Sequence, residues 1–290
     1  VVDCALVILA AVGLHSLIQG KSIRKKIIIP LGLTVLLFLE LLTQSNGVTW
    51  SYKTSPATYP WIAAQQDVQS VAEYPLGEPP SLEIGDYLTY QQIHGKSIFN
   101  TSLTDSPQRP LHLSMYGLGD AQTIPILRQL GIDLVLSHGE PLDNAEQLGL
   151  TLIRSDKATL GNDVVWTYRI NEDGGKASYA VVLKKGFHHP VLGSELRSSV
   201  GMGTVGSLEL QNLTANPLAE SVAVSLNIHT YNPGQLVTIS QQGVVRWQGV
   251  VNEDLAVRFE ADPSLPVDIT PYKPVGNESI ELYDFKATLK

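Results

Sequence analysis

Two long apolar runs open the chain. Residues 4–19 (CALVILAAVGLHSLIQ) and 27–43 (IIIPLGLTVLLFLELLT) flank a short polar elbow, GKSIRKK, at 20–26. Neither run carries a polar stripe at helical spacing, which a helix packed on a water-soluble core would need. A helix of about 17 residues covers roughly 26 Å, close to the hydrocarbon core of a bilayer. The pattern predicts two transmembrane helices over 1–45. Lys21, Arg24, Lys25 and Lys26 hold the elbow in the cytoplasm, so the rest of the chain emerges on the periplasmic or extracellular side. His15 and Glu40 sit near helix ends, where their polar tips can snorkel. The chain begins with Val1 and is expected to be a piece of something longer.

After a membrane-proximal linker over 46–66, which holds Trp50 and Tyr52, the pattern turns to alternating helices and strands. Asp67–Tyr74 reads as a strand, and Leu82–His94 reads as a helix with Ile84, Tyr87, Leu88 and Gln91 on one face. Gly95 supplies its stop. Ser97–Phe99 is a short extended piece. Asp120 is the expected cap of AQTIPILRQLG, with Pro125 limiting its regularity to the first turn. Ile132–Ser137 is a buried strand, followed by a short helix near Leu142–Leu148 and strands Leu150–Arg154 and Val164–Ile170. These predict a small extracytoplasmic α/β domain over 67–175, a three-layer or open-faced sheet.

From about Ala177 the helical period vanishes. Tyr179–Leu183, Gly206–Leu210, Ala219–His229, Leu236–Ser240, Val244–Val251, Leu255–Phe259 and Ser279–Leu289 alternate or run β-branched between turn residues. Seven such strands predict an antiparallel β-sandwich over 176–290. In Ser221–His229 the core face is Val222, Val224, Leu226 and Ile228, with Ser225 and Asn227 pointing out. The expected fold class is therefore α+β and multidomain.

Charge narrows the partners. Of 20 basic and 28 acidic side chains, four and two fall in residues 1–45, which leaves 16 against 26 and a formal −10 for residues 46–290. A body that acidic repels a polyphosphate backbone, which disfavours nucleic acid as a partner. Cys4 is the single cysteine and makes no intrachain disulfide. No phosphate loop, zinc spacing or nucleophile elbow is present, so no cofactor, metal or catalytic residue is read. His188 and His189 are adjacent but point to opposite faces of an extended chain. Glu73, Glu78, Glu83 and Asp86 form an acidic run that reads as a solvated surface, with a general acid/base pair as the alternative.

The segment with most chemical character is DYLTYQQIHGKSIFN, residues 86–100. Tyr87, Tyr90, Gln91, His94 and Lys96 cluster about a helix C-terminus and are the candidate substrate-binding residues. Tyr and Gln suit sugar hydroxyls, and His or Lys suits a phosphate or an anionic lipid head. The bland alternative has Tyr87 and Leu88 in the core, with His94 and Lys96 answering the helix dipole.

The succession EYPLG (73–77), YLTYQQIHGKSIFN (87–100) and LGIDLVLSH (130–138) resembles the extracytoplasmic C-terminal part of multispanning GT-C glycosyltransferases. SLELQNLTANPLAESVAVSLNI (207–228) is similar to the sandwich that often ends such proteins. The resemblance implies a polyprenyl-phosphate sugar donor, a glycan acceptor and surrounding membrane lipids. It also implies that catalysis lies in an upstream outer loop this chain lacks, which makes the present region an accessory lobe. The alternative is a non-enzymatic, membrane-anchored ectodomain that binds glycan or protein, with Trp166, Trp247, Tyr231 and Tyr272 as candidate stacking residues. Asn100, Asn212 and Asn277 fit the glycosylation acceptor pattern.

Overall fold

The computed structural model describes Gln19 and residues 55–76, 82–100, 107–157, 164–272 and 279–289, with the side chains of 82–86 and 195 excepted. The two expected membrane spans lie outside the described residues. Among the described residues no helix is long and apolar enough to cross a membrane. Residues 54–290 form one unit, built of three five-stranded sheets.

The first sheet belongs to the α/β lobe. Its strands are β1 (Ser70–Tyr74), β2 (Ser97–Ile98), β3 (Leu134–His138), β4 (Leu150–Lys157) and β5 (Val164–Ile170), in the order β2-β1-β3-β5-β4. Strands β2, β1 and β3 are parallel, and β5 and β4 continue antiparallel. Helices α1 (Thr58–Ala64) and α2 (Leu82–His94) cover one face through Tyr59, Ile62, Tyr90 and Ile93, which pack on Val71, Leu134, Leu136 and Val165. Helices α3 (Arg109–Leu113) and α4 (Thr123–Gln129) cover the other, where Leu111, Ile124 and Leu127 meet Ala72, Tyr74, Val135 and Tyr168. The expected three-layer arrangement is therefore present.

Two crossovers link the parallel strands. From β1 the chain passes through α2 on one face to β2; it then returns through α3 and α4 on the other face to β3. The strand order thus reverses between β1 and β3. In open α/β sheets, ligands bind in the crevice beyond the carboxyl ends of the two strands at such a reversal.

The remaining strands build the sandwich: β6 (Tyr179–Lys185), β7 (Val191–Leu192), β8 (Ser198–Met202), β9 (Gly206–Asn212), β10 (Val222–Thr230), β11 (Gln235–Gln241), β12 (Val244–Val251), β13 (Asp254–Ala261), β14 (Val267–Pro271) and β15 (Ile280–Leu289). One sheet runs β12-β11-β14-β9-β6 and the other β13-β10-β15-β8-β7, and all their pairings are antiparallel. The face Val222, Val224, Leu226 and Ile228 is in the core as expected. Strands β7, β8 and β14 escape the sequence pattern because they are short or, in β8 (SSVGM), largely polar and small.

Strand β6 joins the two lobes. Its alternate residues Tyr179, Val181 and Leu183 enter the sandwich core, while Ala180 and Val182 face α3 and α4. A strand buried on both faces shows no alternation, and YAVVL has none.

Several local expectations fail for physical reasons. Helix α4 runs through Pro125 to Gln129, because a proline in the first turn lacks only an N–H that would have no helical partner there. Asp120 is not its cap; the cap position is Gln122, and the Asp120 side chain is engaged elsewhere. Residues 143–149 form turns rather than a helix. Leu88 is 41% exposed, and the covered face of α2 carries Tyr87, Tyr90 and His94 at positions i, i+3 and i+7.

Candidate functional site

A buried acidic side chain stands at the carboxyl ends of β1 and β3. Glu73 is the fourth residue of β1 and is fully buried. It shares a face with Val71, toward α1 and α2. His138 ends β3 on the same face, two residues beyond Leu136, the register partner of Glu73. The His138 Nε2 lies 3.0 Å from Glu73 Oε2, and the Tyr59 hydroxyl donates to that same oxygen at 2.8 Å. Asn100, just past β2, accepts the Glu73 backbone N–H at 2.6 Å and donates to the Glu73 carbonyl. Sequence position alone suggested a solvated Glu73. Its place on a strand covered by two helices buries it instead.

Aromatic rings wall this carboxylate. Tyr59 stacks on Tyr90 at a centroid distance of 4.0 Å and on the His94 ring at 6.0 Å. The Tyr87 ring lies 5.2 Å from His138, and its hydroxyl donates to the Pro75 carbonyl. Two buried polar atoms here have no hydrogen-bond partner: Glu73 Oε1 and His94 Nε2. Tyr90 is partly exposed, and the His138 side chain is 21% exposed.

Protonation follows from these contacts. Burial and the neighbouring Glu73 raise the Tyr59 hydroxyl well above its ordinary range, so it remains a donor. Burial, aided by Lys96, lowers His94 to about 4. At neutral pH His94 is therefore uncharged. Its Nδ1 accepts the Lys96 backbone N–H at 3.0 Å, so the ring hydrogen sits on Nε2. The site thus offers one buried acceptor and one buried donor against an aromatic wall.

The sequence-predicted residues divide accordingly. Tyr90 and His94 stack on Tyr59 and Tyr87 lies against His138, the two side chains that bond Glu73. Gln91 and Lys96 serve the helix end: Gln91 donates to the Lys96 carbonyl at 3.1 Å, and the Lys96 ammonium donates to the Gln65 carbonyl at 2.7 Å. A neutral His94 and an anchored Lys96 correct the expectation of a phosphate-facing pair. Sequence reasoning missed Tyr59 and His138, and set Glu73 aside as solvated. The signal that existed was an acidic residue and a histidine at the ends of two apolar strands, EY at 73–74 and SH at 137–138.

Other candidates lie elsewhere. Trp166 donates to the Gly139 carbonyl within the α/β lobe, whereas Trp247 lies over Gly249 against the sandwich core. Tyr231 donates to Glu281, and Tyr272 is 61% exposed at the end of β14. Trp166 and Trp247 are thus occupied by packing rather than offered as a platform. Asn100 is buried with both amide atoms bonded to Glu73, which corrects its reading as a glycosylation acceptor. Among the described residues no three His, Cys, Asp or Glu side chains group as metal ligands.

No family model matches the chain, and no curated protein matches it. Among solved structures it is similar to CBM29_1, a family 29 carbohydrate-binding module from Piromyces equi. That likeness has 16% identity and a TM-score of 0.23, and covers 39% of this chain and 89% of that one. A second structure, described as "CBM4 structure and function", matches at 11% identity and a TM-score of 0.23, over 37% of this chain and 78% of that one. Likenesses this slight assign no function.

Proposed function

We propose that this chain is a glycan-binding ectodomain that takes its ligand at the carboxyl ends of β1 and β3. The observation that carries the reading is the buried Glu73, with Oε1 unsatisfied, inside a wall of Tyr59, Tyr87 and Tyr90. Native proteins seldom leave a buried carboxylate oxygen without a partner, and such an atom calls for a donor-bearing ligand or an ordered water. Flat rings beside a fixed acceptor suit a sugar, which presents C–H faces to the rings and O–H or N–H groups to the carboxylate. The ectodomain would stand on the outer side of a membrane, held by residues 1–45.

The same site fits a polyprenyl-phosphate sugar less well. A phosphate needs cations or several N–H donors. Here His94 is neutral, Lys96 is anchored to Gln65, and the central group is an acidic side chain. The test is retention of the full chain on an immobilised glycan array, compared with His138→Ala. Binding of defined glycans by the parent, and its loss by at least tenfold in the variant, is the expected result. No retention on any glycan overturns the proposal.

A further inference from the structure

Resting on the glycan-binding reading, we infer that the site is specific for an N-acetylamino sugar, whose secondary amide is the group it takes. Three observations converge. Glu73 Oε1 is a buried acceptor without a donor, and His94 Nε2 is a buried donor without an acceptor. Both atoms belong to side chains that touch Tyr59: the other Glu73 oxygen, Oε2, accepts from its hydroxyl, and the His94 ring stacks on its ring. Tyr59 and Tyr90, stacked at 4.0 Å, supply the apolar wall next to them.

A ligand group that satisfies this arrangement needs a donor and an acceptor on separate atoms, with an apolar end. An acetamido group has that composition. Its N–H donates to Glu73 Oε1, its carbonyl oxygen accepts from His94 Nε2–H, and its methyl packs on the tyrosine rings. A hydroxyl carries donor and acceptor on one atom, and so would have to reach both protein atoms from one point. An ammonium would satisfy Glu73 but leave the His94 donor without an acceptor. The fixed His94 tautomer matters: with Nδ1 already accepting from Lys96, Nε2 is only a donor.

The experiment titrates the full chain with free N-acetylglucosamine, glucose and glucosamine, followed by NMR shifts or calorimetry. The expected result is at least tenfold tighter binding of N-acetylglucosamine than of the other two. His94→Phe should remove that preference. His94→Gln, which keeps a side-chain N–H, should retain most of it, and thermal melts check that both variants fold. Equal binding of the three sugars overturns the amide assignment and leaves the glycan-binding reading standing. Tightest binding of glucosamine overturns the assignment too, in favour of an ammonium. No binding of any of the three overturns the amide assignment, while the glycan array decides the glycan-binding reading.

Discussion

The α/β lobe and the sandwich bury different kinds of side chain. Among the described residues, every buried ionisable Glu, Asp, His and Arg lies in the α/β lobe: Glu73, His94, His112, Asp120 and Arg128. The sandwich core is aliphatic and aromatic, and its buried polar groups are neutral, such as Gln241. That amide donates to the Asp262 and Leu265 carbonyls and accepts the Asp262 N–H. Burying charge is costly unless it is compensated. The sandwich avoids that cost. The α/β lobe buries ionisable side chains, and Glu73 Oε1, His94 Nε2 and Arg128 Nη2 there have no hydrogen-bond partner, the kind of local inconsistency expected at a site.

The largest effect should come from the scaffold. Ile239 is fully buried at the centre of the sandwich core, and Ile239→Ala should cost about 2–5 kcal/mol of unfolding free energy by denaturant titration. If the contrast between the lobes holds, sugar affinity of the remaining folded protein is unchanged. A matching loss of affinity would mean that the two lobes are not functionally separable.

Next in size is a pH effect at the junction. Asp120 accepts the Gly117 N–H, the Ser198 N–H at 2.7 Å and the Ser198 hydroxyl, and so ties the α4 side of one lobe to β8 of the other. Burial, opposed by the Ser198 donors, pushes its carboxyl up to about 7. Between its ordinary 3.8 and about 7 the folded chain holds a proton that the unfolded chain has released. Its stabilisation is complete below the ordinary value and is lost as pH rises through about 7. His94 and His112, lowered by burial to about 4, run the other way: their contribution is present above 6.5 and is lost as pH falls. The difference between Asp120→Asn and the parent isolates the carboxyl. The parent should lose up to a few kcal/mol relative to the variant across this window. A pH-independent difference would refute the assignment.

How much of this was legible in the sequence depends on period and register. Strands that alternate, such as Val222–Thr230, or that run β-branched, such as Val244–Val251, announced themselves, and α2 announced both ends through its pattern and Gly95. The short or small-residue strands β7, β8 and β14 carry too few apolar positions to register. Half the site was legible for another reason: Tyr87, Tyr90 and His94 stand out by residue type in DYLTYQQIHGKSIFN, although the period placed the exposed Leu88 on the covered face. Glu73 and His138 are 65 residues apart and meet only because parallel pairing aligns the ends of β1 and β3. Pairing of that kind leaves no local trace. Asp120 was read as a cap because its spacing fits one; only the arrival of Ser198 from the other lobe shows where its oxygens go.

A smaller effect tests whether the junction is as tight as it looks. A Cβ on Gly117 would stand 2.4 Å from the Ser198 backbone N and 2.7 Å from both Asp120 carboxylate oxygens. Neither the backbone nor the bonded carboxylate yields easily. Gly117→Ala should therefore destabilise by roughly 1–3 kcal/mol. An unchanged melting temperature would mean that the lobes slide freely against each other.

The smallest stability effect should fall on the residue with the largest consequence for binding. Glu73→Gln preserves shape and still lets Tyr59 and His138 donate to an amide oxygen. It exchanges one unpartnered buried atom for another and removes a charge, so denaturant titration should show a change within about 1 kcal/mol of either sign. Affinity for sugar should nevertheless fall at least tenfold, because the amide nitrogen meets an incoming donor with another donor. A scaffold residue such as Ile239 does the reverse, costing much stability and no affinity. If Glu73→Gln were instead to cost several kcal/mol and leave affinity intact, Glu73 would be a structural group, and the distinction between the lobes would lose its functional meaning.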